Sequence, residues 1–337
     1  MGRKTLLTLI AAFSTFALLI AGCGNSANNA KEHKLVIYTS MKDTLIGGIV
    51  EGFKKEHPNI EVEYQTAGAG KLMNKIAEER RNGKIQADVI WTSEVPDFYQ
   101  MKEDGLLAEY RPQAFKDILN PFPDYDGFFT AARLGTLGIV INTDKVAAPP
   151  VSWEDLASEE LYKNSFGIAD PALSGTAFMS IALLKKQFGW GYVERLHKHG
   201  AVKCEGSSQV IERTVSGELA ACLGVDYIAA SKIDGGAHLA MVYPKEMIVV
   251  PSPIAIFKST DDMDAAKAFV EYMLGKEAQQ KIADVGTIPV RTDVKIPEKY
   301  RLPQPQDALK MGIRVDYSEV LQHKNDTIKK FTELFDK

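Results

Sequence analysis

Cysteine is scarce in this chain, three residues in 337, and there is no surplus of positive charge: 40 Lys and Arg stand against 44 Asp and Glu, a formal net charge of −4. Without a basic stripe, the electrostatic footprint of a nucleic-acid binder is missing. Cys204 and Cys222 fall on two strands that the pattern joins by one helix. They read as small buried apolar residues, although export would allow them to pair. Gly-x-Ser-x-Gly and His-Glu-x-x-His do not occur, and no nucleophile stands in a pattern with a general base. His197-Lys198-His199 has i, i+2 spacing, which points two ways on a helix and suits the end of one better than a metal. No repeat or low-complexity tract follows residue 30.

What is present begins at the amino terminus. Arg3 and Lys4 precede Leu6–Ala21, apolar apart from Thr8, Ser14 and Thr15, and small residues lead to Cys23. A basic start, a short apolar run and a small-residue cleavage site make a secretory signal. The run is too short and interrupted for a membrane span of ~20 residues. Leu19-Ile20-Ala21-Gly22-Cys23 resembles the bacterial lipobox, which implies cleavage after Gly22 and a lipid on Cys23. Each buried methylene contributes ~0.8 kcal/mol, so two or three acyl chains hold where one does not. Residues 23–34 then read as a flexible leash, Gly24–Ala30 being small, polar and aperiodic. Without residues 1–22, 315 residues remain with a net charge of −6, because Arg3 and Lys4 leave with the signal. That length is large for one core and predicts two lobes.

From Lys34 the chain alternates short apolar strands with amphipathic helices. Strands are predicted at 35–38, 60–64, 87–91, 135–142, 166–169, 201–204, 219–225 and 249–257, with helices between them at 72–80, 176–188, 209–216 and 264–274. Strands separated by helices specify βαβ units and parallel sheets. The fold class expected is α/β: two lobes, each a mostly parallel sheet flanked by helices, with ligand in the cleft between them. Residues 35–134 with 253–310 are assigned to lobe 1, and 135–252 with 311–337 to lobe 2.

Several stretches, in order along residues 35–300, resemble one family. They are Leu35 to Ser40, Ala87 to Glu94, Asp170-Pro171 with Ser174-Gly175-Thr176, and Gly217 to Ala220 leading to Asp226-Tyr227. These resemble the extracellular solute-binding proteins of ABC importers, in the branch that holds ferric-binding proteins and binders of phosphonates, hexose phosphates, thiamine and pyridoxal phosphate. The resemblance implies the two-lobed periplasmic-binding-protein type II fold and lobes that close over a ligand. It implies an ABC permease with its ATPase subunits as partners, a monomer anchored by lipid on the outer face of the membrane, no cofactor and no catalysis. An exported enzyme of phosphorylated substrates is the rival class.

Ser174-Gly175-Thr176 opens a helix, where a hydroxyl caps and Gly lets a ligand reach backbone N–H groups suited to an anion. Gly68 and Gly70, with Lys71 beside them, open another helix. Thr39-Ser40 and Ser207-Ser208 read as caps of two more, and Ser93-Glu94 follows the third strand. An open parallel sheet gathers such ends at its carboxyl edge. These residues and Asp226-Tyr227 form the candidate ligand site, with Asp226 suited to an amine or sugar hydroxyl. Iron-binding relatives carry two adjacent tyrosines where this chain has Asp226-Tyr227, and Met41-Lys42 stands where a histidine is expected. The resemblance therefore favours a small anionic organophosphate over ferric iron, for which only Glu94, Asp226 and Tyr227 remain. Tyr99, Tyr125 and Phe128 are further candidates for the cleft wall.

Overall fold

The computed structural model describes residues 33–336. The signal, Cys23 and the leash as far as residue 32 lie outside them, whereas His33 and Lys34, assigned to the leash from the sequence, are the first residues of the first strand. Along the chain come β1 (His33–Thr39), α1 (Asp43–Glu56), β2 (Ile60–Thr66), α2 (Ala69–Arg81), β3 (Val89–Trp91), α3 (Val95–Glu103) and the long β4 (Thr130–Asn142). The middle of the chain holds α4 (Asp155–Ser158), β5 (Phe166–Ala169), α5 (Gly175–Phe188), α6 (Trp190–Lys198), β6 (Val202–Cys204), α7 (Ser207–Val215), β7 (Ala221–Val225) and α8 (Asp226–Asp234). It ends with β8 (Leu239–Val242), β9 (Ile248–Ile256), α9 (Met263–Leu274), α10 (Lys276–Asp284), β10 (Ile288–Pro289), α11 (Pro305–Met311), α12 (Tyr317–Gln322) and α13 (Lys324–Phe335).

The helices form where the apolar period is 3.6. In α1 the buried face is Leu45, Ile46, Ile49, Val50 and Phe53, and in α9 it is Ala265, Ala266, Phe269, Val270 and Met273 among others. Phe53 meets Phe269 edge-on at 5.2 Å between ring centres, and burying each such ring contributes about 1.5–3 kcal/mol. Asn82-Gly83 stops α2 because Gly83 turns with φ of 102°.

The strands join in one mixed sheet of order β2-β1-β3-β9-β4-β7-β5-β6, with β8 and β10 also paired to β4. β2-β1-β3 is a parallel array, and β7-β5-β6 is a second. Between them run β4 and β9, antiparallel to each other and to their outer neighbours. All thirteen residues of β4 are buried, as expected of a strand covered on both faces. The two parallel arrays match the parallel sheets expected from the sequence. β4 begins five residues earlier than its apolar run, because Thr130–Leu134 pair with β9 and β10. Among the described residues, no helix is long and apolar enough to cross a membrane.

Cys204 and Cys222 are free and buried. They lie on β6 and β7 with β5 between them. Two strand spacings are roughly 9–10 Å, beyond the reach of a disulfide.

Candidate ligand-binding site

Residues just beyond the carboxyl ends of β1, β2, β3, β5, β6 and β7 line one cavity of about 240 Å³. Its walls include Ser40, Gly68, Ser93, Ser174, Gly175, Thr176, Ser207 and Tyr227 from the sequence-based set, together with Lys71 and Ser208.

The densest polar feature joins two helix starts. Ser174 is the N-cap of α5, its side chain accepting from Ala177 N, and its loop is set by an Asp170 carboxylate that accepts from Ala172 N at 2.8 Å. Ser207 is the first residue of α7, which Gly206 caps without a side chain. The hydroxyls of Ser174, Thr176 and Ser207 lie 3.0–3.2 Å apart in a closed triangle. Each hydroxyl can turn its proton outward to an incoming anion. Both helix starts add their positive dipole ends and free N–H groups.

The floor is Arg133, which the sequence reading passed over. It lies on β4 beside a register shift between Ala131 and Arg133, and a bulge of this kind re-aims a side chain toward a site. Its guanidinium folds over Gly135, where a Cβ would come within 2.9 Å of it. One nitrogen donates to Asp226 at 3.2 Å and to Thr287, another donates to Ser93 at 3.4 Å, and the group lies 5.0 Å from the Tyr227 ring centre. Its Nε is buried without a partner. The available signal was a lone cation inside an apolar strand.

Four residues of the sequence-based set do not line the cavity. Thr39 is fully buried, donating to Trp91 O at 2.8 Å and accepting from Met41 N; it shapes the turn and does not cap α1, whose N-cap is Lys42. Gly70 packs on the 170–174 loop, a Cβ there lying 2.3 Å from Ala172 O. Gly68 is equally tight, with 2.2 Å to Leu173 O. Glu94 is turned away, ion-paired with Lys324 of α13, which also pairs with Asp97. Burial first, and then Asp97 beside it, push Glu94 up to about 8, while Lys324 pulls the other way. Asp226 is 1% exposed and accepts from Arg133, Thr136, Thr287 and Tyr227 N. It has no lone pair facing an amine or a metal. Gly175 must be glycine for packing, since a Cβ there would meet Glu94 at 2.7 Å and Ala69 at 2.9 Å.

Tyr227 is buried, and its hydroxyl accepts from Lys42 N at 2.9 Å; burial pushes that hydroxyl up to about 12. Tyr99 borders a different hollow, about 720 Å³, beside α12. That hollow is larger and has Arg314 in its wall, but it lacks the triangle of hydroxyls at two helix starts. Among the described residues no group of three or more His, Cys, Asp or Glu is placed to hold a metal; His199 instead lies 2.8 Å from Glu159 O.

Residues 48–304 match the family of bacterial extracellular solute-binding proteins. The putative 2-aminoethylphosphonate-binding periplasmic protein of Salmonella typhimurium is 24% identical over 248 residues, 70% of this chain and 71% of that one. Among solved structures, the periplasmic binding protein AfuA from Actinobacillus pleuropneumoniae, with fructose-6-phosphate bound, superposes with a TM-score of 0.75 at 24% identity, covering 90% of this chain and 99% of that one. Iron-bound HitA from Pseudomonas aeruginosa gives 0.74 at 21% identity, covering 89% and 99%. The fold they share with this chain is the two-lobed type II periplasmic-binding-protein fold. The chain belongs to the bacterial extracellular solute-binding proteins.

Proposed function

We propose that the solute is a small organic anion carrying a phosphoryl or phosphonyl group, seated on the hydroxyl triangle of Ser174, Thr176 and Ser207. That triangle, closed at 3.0–3.2 Å across the starts of α5 and α7, carries the reading. The ammonium groups of Lys42 and Lys71 in the walls, without an ion-pair partner among the described residues, supply positive charge, while that of Arg133 on the floor is balanced by Asp226. The net charge of −6 without the signal gives no long-range attraction for an anion, so recognition rests on these short-range donors.

Ferric iron, the alternative ligand, finds little support. Glu94, Asp226 and Tyr227 are each engaged elsewhere, with Lys324, Arg133 and Lys42 N respectively. The bound protein is proposed to deliver its solute to a permease as a monomer, held at the membrane through lipid on Cys23. Native mass spectrometry of protein purified without refolding tests the ligand class. A retained, phosphorus-containing mass of a few hundred daltons or less supports it; retained iron with no organic anion overturns it.

A further inference from the structure

Glu205 is the acidic side chain among the residues that line the cavity. Its carboxylate makes no hydrogen bond or ion pair with any described residue. Its backbone is held, because Gln209 Oε1 accepts from Glu205 N at 2.7 Å, a reach-back contact of the capping-box kind that fixes the turn into α7. Asp226, the acid that the sequence offers for an amine, is saturated by its protein donors. Across the cavity, the other parallel array supplies Lys42 and Lys71, both without an ion-pair partner among the described residues.

From this distribution of unpaired charge we infer that Glu205 recognises an ammonium group, and that the solute is a zwitterion with a phosphonate or phosphate at one end and a primary amine at the other. The inference rests on the hydroxyl triangle holding the anionic end. Glu205 stands two residues before Ser207, so their Cα atoms are at most about 7 Å apart. A solute that bridges Ser207 and Glu205 is therefore small, and 2-aminoethylphosphonate is the probe chosen for it. The two lysines repel the ammonium from the opposite wall and fix the orientation. A carboxylate can also accept from sugar hydroxyls, so the amine itself must be tested.

The experiment is calorimetry of the wild type and Glu205→Gln against 2-aminoethylphosphonate, ethylphosphonate and glucose 6-phosphate. Residue 205 is exposed, and the variant keeps the backbone contact to Gln209. The wild type is expected to bind 2-aminoethylphosphonate at least about tenfold more tightly than ethylphosphonate, the worth of one hydrogen-bonded charge pair. Glu205→Gln removes that ratio and leaves ethylphosphonate binding equal or tighter. An unchanged ratio in the variant, equal binding of the two phosphonates by the wild type, or tightest binding of glucose 6-phosphate overturns the role of Glu205 while the anion site stands. No binding of any of the three overturns the anion site as well.

Discussion

Asp226 and Arg133 form an ion pair in which both side chains are at most 1% exposed. Such a pair is tolerable only because Thr136, Thr287, Ser93 and Tyr227 N complete its hydrogen bonding. Asp226→Ala leaves a buried guanidinium uncompensated and is expected to cost about 3–5 kcal/mol of folding stability. Urea unfolding measures it, and a loss below about 1 kcal/mol would show that the pair is not sealed from water. Glu94 has a different consequence. Its folded value of about 8 lies above the ordinary 4.5, so the folded chain keeps a proton that the unfolded chain has released between those values. The stability this group contributes is full below pH 4.5 and declines as pH rises toward 8. The slope it adds is at most about 1.4 kcal/mol per pH unit, and Glu94→Gln is expected to flatten it. Melts from pH 5 to 8 that superpose for the two proteins would contradict this.

At the level of elements, α2 starts directly against the loop between β5 and α5. A Cβ on Gly68 or Gly70 would lie 2.2 or 2.3 Å from a carbonyl oxygen of that loop. If the two parallel arrays swing together over a ligand, these glycines set how far they close. Gly68→Ala is then expected to weaken solute binding more than tenfold and leave the melting temperature of the unliganded protein within a few degrees. A melting temperature that falls in step with affinity would mean that the contact is permanent packing. Eight of the ten strands described, and the helices α2, α5, α7 and α9, were legible from the sequence because apolar periods of two and 3.6 survive in short windows. The antiparallel course of β4 and β9, and the helices after residue 300, depend on contacts distant in sequence and left no such period. The site divides the same way. Ser174, Thr176 and Ser207 announce themselves as hydroxyls at helix starts. Arg133 and Glu205 reach the cavity through a strand bulge and a loop turn, features of tertiary geometry. Asp226 stands at a helix start too, but buried donors that no motif reveals consume it.

For the whole molecule, we propose that β4 and β9 carry the boundary between lobes, near residues 134–135 and 252–253. The C-terminal segment touches both arrays: Tyr317 of α12 stacks on Tyr99 after β3, while Phe335 of α13 packs on His197 of α6. Outside the described residues, the lipobox-like run gives its own test. Cys23→Ser is expected to appear in the medium or with its signal uncleaved, and variant protein still acylated at the wild-type level would refute the anchor. The central claim is that an anion sits on three hydroxyls at two helix starts. Its most direct measurement is calorimetry of the wild type and the Thr176→Val, Ser207→Ala double variant with the tightest-binding phosphoryl or phosphonyl solute. Each lost hydrogen bond to charge is worth about 1.5–3 kcal/mol, so the account predicts a loss of affinity of at least about a hundredfold with the unliganded melt preserved. Equal affinity in the two proteins would contradict it.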